Sequence, residues 1–128
     1  MAMEIRQSAE DYLEAILMIK EKKGYVRSID VANQLSVSKP SVSYATKRLR
    51  ENGYITFNED GMITLTDSGM EIANKIYTRH KVLTDIFKAL GVNDDIAAED
   101  ACKIEHDLSL ETFDALCVYA RKNGLTTH

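Results

Sequence analysis

The amino-acid sequence predicts a mostly α-helical fold with one small β-hairpin, on three observations. Two short amphipathic stretches meet across Ser36-Val37-Ser38, with capping residues ahead of each. Directly after them come two β-prone runs, Tyr54-Ile55-Thr56-Phe57 and Met62-Ile63-Thr64-Leu65-Thr66. The tetrad Asn58-Glu59-Asp60-Gly61 between them is a hairpin loop, with Gly61 able to take positive φ. From Asp67 onward the apolar residues recur at helical spacing. Helix, helix, hairpin is the order of a winged helix-turn-helix. The chain therefore divides into a winged module over residues 1–68 and an all-helical module over 69–128.

Each element has its own warrant. The first helix is expected to start near Ser8, with Asp11 in a capping-box position and Gly24 as its stop. Tyr12, Leu13, Ile16, Leu17 and Ile19 form its apolar face. Ser28 is expected to cap the first helix of the pair and Ser38 the second, with Pro40 in the opening turn, where its missing N–H costs nothing. Val42, Ala45 and Leu49 should face inward, and Gly53 ends this helix. A long helix follows from about Asp67 to Leu90, closed by Gly91, with Ile72, Ala73, Ile76, His80, Leu83 and Phe87 on one stripe. Asn93 opens the next, with Asp94 and Asp95 suited to its N-terminal dipole and Ala97, Ala101, Ile104 and Leu108 as its stripe. Ser109 caps the last, where Leu110, Phe113, Leu116, Cys117 and Ala120 are apolar. Two helices this short cannot bury such stripes alone, which predicts packing on the long helix and on a second copy, a homodimer through the C-terminal helices. Gly124 to His128 reads as a frayed tail.

Bulk composition sets the class. Hydrophobic content of 45% and charged content of 28% are those of a soluble globular protein. No apolar run has the length of a membrane span and no leader opens the chain, so a cytoplasmic protein without a membrane partner is expected. Two cysteines, Cys102 and Cys117, fit a reducing compartment. The net charge of −4 conceals a segregation. From Lys20 to Arg50 lysines and arginines face only Glu21 and Asp30, whereas from Asp85 to Asp114 carboxylates face only Lys88 and Lys103. The first half suits phosphates, the second cations or a partner subunit.

The second helix of the pair carries the first functional signal. Its outward face holds Ser41, Ser43, Tyr44, Lys47 and Arg48, hydroxyls and cations with almost no carboxylate. Short donors for base edges and phosphates, with positive charge for the backbone, are what a helix needs to lie in a DNA major groove. Ser38, Lys39 and Pro40 at its start and Arg27 ahead of the pair complete the candidate DNA-binding set, with double-stranded operator DNA as the partner.

The second signal is a set of metal-type ligands. Cys102, Glu105 and His106 stand at i, i+3 and i+4, so their side chains are expected to converge on one helix face. Asp11 and Glu14 stand at i, i+3 on the first helix, and His80 interrupts an apolar stripe. Carboxylate, imidazole and thiolate together suit a divalent first-row metal, with oxygen-rich ligation favouring Mn(II) or Fe(II) and the thiolate moving the preference toward Fe(II) or Zn(II). Each residue also has a plain structural reading: a core histidine, a packed cysteine, a helix-capping Asp11.

These residues resemble those of the diphtheria-toxin-repressor family of metal-dependent regulators, and within it the manganese branch. The resemblance rests on Glu10-Asp11-Tyr12-Leu13-Glu14, the helix pair, Arg79-His80, and Cys102-Lys103-Ile104-Glu105-His106-Asp107-Leu108-Ser109. It implies an N-terminal winged helix that binds DNA, C-terminal helices that dimerise, and a metal at their junction that readies the dimer for its operator. By resemblance, Asp11, Glu14, His80, Glu105 and His106 match the manganese-branch ligands. Cys102 departs from that branch, which has Glu there, and resembles the iron branch, which has Cys. Asp11 departs from the iron branch, which has a methionine, and Thr84 stands where that branch has a glutamate. The chain ends where many iron-branch members continue into a third domain, again the manganese layout. The function implied is repression of Mn(II) or Fe(II) uptake genes. Two other readings are a winged-helix regulator that senses a small organic ligand and a metal-dependent hydrolase. The chain has no glycine-rich loop or nucleophile turn, so it is expected not to be an enzyme.

Overall fold

The first helix, α1, spans Ala2–Lys23. The computed structural model describes residues 2–125, with side chains described from Ser8 onward. Ser8 thus lies inside α1 rather than at its cap, because the preceding Ala-Met-Glu-Ile-Arg-Gln run holds only residues that tolerate or favour a helix. Gly24 ends α1 at φ +85°, a conformation that a side chain would strain. Two further helices, α2 (Ser28–Leu35) and α3 (Lys39–Glu51), form the expected pair, joined through Ser36 in the left-handed region.

Their caps differ from expectation at one end. Ser38 caps α3 as expected, its hydroxyl accepting from the Ser41 N–H. The cap of α2 is Arg27 rather than Ser28: the Asp30 carboxylate reaches back to accept the Arg27 N–H at 3.0 Å, so the acid three residues on does the work assigned to the serine. Asp30 also pairs with Lys23 at 2.7 Å, which holds the carboxyl below its ordinary range and the ammonium above its own. In α3 the fully buried positions are Val42, Thr46 and Leu49, with Ala45 only half-buried. Thr46 occupies the i, i+4, i+7 stripe at little cost because its hydroxyl bonds the Val42 carbonyl at 2.8 Å.

The hairpin follows as β1 (Ile55–Phe57) and β2 (Ile63–Leu65), antiparallel, with Ile55 opposite Leu65 and Phe57 opposite Ile63. Ile55 and Ile63 join Leu13, Ile16, Val26, Val31, Val42 and Leu49 in the buried core of this half. On its other side β2 bonds the chain ahead of α2, the Ile63 N–H donating to the Val26 carbonyl at 2.7 Å.

The long helix is α4 (Asp67–Ala89). Contacts divide the chain within it, into Met1–Lys75 and Ile76–His128. In the second unit α5 (Asp94–Ile104) is capped by Asn93 and α6 (Leu110–Lys122) by Ser109, both as expected. Val82 and Ile86 of α4 pack with Phe113 and Ala120 of α6, flanked by Phe87, Leu116, Cys117 and Leu125. Burial pushes the Cys117 thiol up, which keeps it protonated. Leu110 and Ile104, assigned to apolar stripes from the sequence, are exposed: each sits at the last or first position of its helix, beyond the core. Gly124 and Leu125 are not frayed, since their N–H groups bond the Arg121 and Ala120 carbonyls; residues 126–128 lie outside those described.

Candidate nucleic-acid interface and metal centre

The face of α3 assigned to DNA is open. Ser41, Ser43, Tyr44, Lys47 and Arg48 are all exposed, as are Lys39 and Pro40 in the opening turn and Ser38 and Arg27 ahead of them. Tyr44 is 65% exposed, a large aromatic with no core to pack in. Arg48 lies over its ring at 5.7 Å and donates to its hydroxyl at 3.3 Å, so the two present an aromatic and a cation together on this face. The rest of the set presents hydroxyls and ammonium groups on the same helix, the surface that phosphates and base edges accept from.

Also in the first unit, Asp11 and Glu14 stand one turn apart on α1, Asp11 half-buried and Glu14 buried. Two adjacent carboxylates at this depth are a set of hard oxygen donors.

The second unit places three of the predicted ligands together. The helix α5 ends at Ile104, and Glu105 is its C-cap in right-handed helical geometry. Ala97, Ala101 and Glu105 are fully buried at i, i+4 and i+8, so the stripe that buries two alanines also buries the carboxylate. His80 Nδ1 lies 2.9 Å from Glu105 Oε1 and His106 Nε2 lies 3.7 Å from Glu105 Oε2. A carboxylate with no solvent exposure, standing between two imidazoles, is a nitrogen and oxygen donor set that fits a divalent first-row cation. Cys102, one turn before Glu105 on the same helix, is exposed.

Arg79 supports this cluster, a role that the sequence did not signal. It is buried, and its Nη1 donates to the Glu105 carbonyl at 3.0 Å and the Leu108 carbonyl at 2.8 Å. Its guanidinium also lies over the Phe113 ring at 5.1 Å. The carbonyl of the α5 C-cap and that of Leu108, just ahead of α6, are thus satisfied by a cation, the charge that a helix C-terminus favours. An arginine beside a histidine reads the same whether it is solvated or buried; only the carbonyls it meets give it a task.

Residues 4–62 match the family described as iron dependent repressor, N-terminal DNA binding domain. Residues 66–123 match iron dependent repressor, metal binding and dimerisation domain. The chain belongs to the iron-dependent repressor family. It is 37% identical over 118 residues to an uncharacterized HTH-type transcriptional regulator of Methanocaldococcus jannaschii, covering 91% of this chain and 94% of that one. It is 34% identical over 119 residues to the transcriptional regulator MntR of Escherichia coli, covering 93% and 77%. Among solved structures it is similar to a manganese-dependent transcriptional repressor in complex with manganese, at TM-score 0.80 and 28% identity, covering 94% of this chain and 54% of that one. It is also similar to IdeR of T. acidophilum, at TM-score 0.78 and 27% identity, covering 90% and 53%. The chain spans about half the length of these two solved chains.

As an iron-dependent repressor, the chain carries the α3 face within its DNA binding domain and the His80, Glu105 and His106 cluster within its metal binding and dimerisation domain. No helix among the described residues is long and apolar enough to cross a membrane.

Proposed function

We propose that this iron-dependent repressor is a cytoplasmic, homodimeric regulator that represses Mn(II) or Fe(II) uptake genes when a divalent metal is bound. The observation that carries the reading is the Glu105 carboxylate, buried between His80 and His106. A carboxylate shielded from solvent beside two imidazoles is a nitrogen and oxygen donor set that a divalent cation would complete. In this reading Asp11 and Glu14 complete the site from α1, and Cys102 is a sixth candidate ligand. A bound metal would supply the positive charge that these carboxylates attract.

The protein's own residues do the rest. Arg79 fixes the backbone at Glu105 and Leu108, so the ligand-bearing turn keeps its shape. Exposed Leu90, Ile96, Leu110 and Tyr119 give the second unit apolar surface for a second copy. Ser41, Ser43, Tyr44, Lys47 and Arg48 meet the operator through base edges and phosphates. Coupling between metal and DNA of this kind is about 1–3 kcal/mol. Function by binding alone, without turnover, follows from the same reading.

Upstream promoter DNA in a gel-shift assay, with chelator and then with Mn(II), Fe(II) or Zn(II), tests the proposal. Metal should tighten binding about 5- to 150-fold. Equal binding in chelator and metal would refute it, and would favour a regulator that senses an organic ligand. A Co(II)-loaded sample decides Cys102: a thiolate charge-transfer band that C102S removes makes it a ligand, and no band takes it off the list.

A further inference from the structure

The outward face of α3 is rich in hydrogen-bond donors and poor in acceptors. From Lys39 to Arg50 the sequence holds no carboxylate, no side-chain amide and no imidazole. Ammonium and guanidinium groups only donate. The exposed side chains there that could accept from a base are therefore the hydroxyls of Ser41, Ser43 and Tyr44, since Thr46 is buried.

Two of these three hydroxyls are already accepting. The Ser38 hydroxyl donates to that of Ser41 at 2.9 Å, and Ser38 is itself held as the cap of α3 by the Ser41 N–H. Arg48 Nη1 donates to the Tyr44 hydroxyl at 3.3 Å, from a guanidinium 5.7 Å from the ring centroid. A phenolic proton lies in the ring plane, on one side of the oxygen or the other. A guanidinium cannot accept it, so the proton takes the side away from Arg48. The ring is 65% exposed, which leaves that proton to an incoming base edge. Ser43 keeps both roles.

Base edges in the major groove differ in what they can take from such a proton. Guanine offers two acceptors, N7 and O6, and thymine offers O4, whereas cytosine offers only its N4 amino donor. A donor set against a donor leaves both unpaired once water is displaced. We propose that Arg48 fixes the Tyr44 hydroxyl as a donor, so that α3 selects guanine or thymine opposite Tyr44 and refuses cytosine. Arg48 is a positioning residue in this role and acts on the base through Tyr44. The inference rests on the reading of α3 as the DNA-reading helix, so Lys47 serves as the control.

The test uses the full-length protein with Mn(II) and duplexes selected from a random-sequence library. Phosphate contacts are common to all duplexes, so they cancel in a ratio of affinities for two sequences. At the base-pair position whose preference Y44F alters, the wild-type protein should bind guanine or thymine about tenfold more tightly than cytosine, the cost of one unpaired donor. Y44F should bring that ratio to about one, because the proton is gone. R48M should do the same with the tyrosine still in place, because the released hydroxyl can accept from cytosine N4. A ratio that R48M leaves at the wild-type value overturns the inference. So does a wild-type preference for cytosine, or a Y44F variant that matches wild type at every position. K47A on a mixed-sequence duplex should lower the slope of log affinity against log salt by about 0.9. If it leaves that slope at the wild-type value, the reading of α3 fails instead.

Discussion

The face of α3 and the cluster around Glu105 expose their polar groups to opposite degrees. On α3 the candidate DNA-facing residues are on the outside: Ser41, Ser43, Tyr44, Lys47 and Arg48 are exposed while Val42, Thr46 and Leu49 beneath them are buried. Around Glu105 the polar groups are on the inside: Arg79 and Glu105 are as buried as the aliphatic residues Val82 and Leu83. A phosphate contact must be reached by a long polymer, so it costs nothing to fold. A metal ligand must exclude water, so its burial is a folding cost that its partners offset. The difference teaches that polar groups can be changed on the α3 face with little cost to folding, whereas around Glu105 they are part of the core.

Substitutions can break or sharpen that contrast. The largest effect is expected where the first half is least forgiving, at Gly69 of α4. A Cβ there would collide with the Tyr54 carbonyl, so G69A should destabilise the fold by about 3 kcal/mol, read from chemical denaturation. Retained stability would mean that the first half tolerates more than its packing implies. Next, Arg79→Met in the second half should cost about 2 kcal/mol even without metal, by leaving the Glu105 and Leu108 carbonyls without this donor. An effect seen only in metal-loaded protein would confine Arg79 to the site. Third, His80→Ala should remove the metal-stimulated part of DNA binding, about 1–3 kcal/mol, and spare metal-free, non-specific binding. Equal loss in both assays would erase the distinction between the halves.

The smallest effect is at a surface pair. Asp30→Asn should cost about 0.5–1 kcal/mol through the α2 cap and the screened Lys23 contact. The sign with pH is fixed by the direction of the shift. Because Lys23 lowers the Asp30 pKa, its stabilisation is present above the unfolded carboxylate value of about 3.9 and is lost as pH falls through the folded value. Wild-type and D30N melting curves should therefore converge in acid.

Legibility in the sequence followed the same divide. The helix pair, the hairpin and the long helix were readable because capping residues, turn residues and apolar period agree at each of them. The exposure of the α3 face was readable because the apolar residues between its polar ones keep helical spacing. The cap of α2 was misread because Ser28 and Asp30 both satisfy capping rules, and only the coordinates choose the acid. In the second half, i, i+3, i+4 spacing grouped Cys102 with Glu105 and His106, but spacing says which residues are near one another and not which of them the core covers. Arg79 escaped for the converse reason, since a lone arginine gives no periodic trace of the carbonyls it will meet. Arg27 was legible as a cation and not as a neighbour of the hairpin loop, because its bond to the Asp60 carbonyl spans thirty-three residues.

The junction of wing and long helix has a mechanical consequence. The Thr66 N–H donates to the Tyr54 carbonyl, the Thr66 hydroxyl donates to the Gly53 carbonyl at 2.6 Å, and Gly69 brings the first turn of α4 against Tyr54 with no side chain between. Main chain meets main chain at Tyr54 and the remaining bond runs through a short hydroxyl, so little side-chain freedom lies between the two elements. The strands and the first turn of α4 are thereby keyed together, so the orientation of one fixes that of the other.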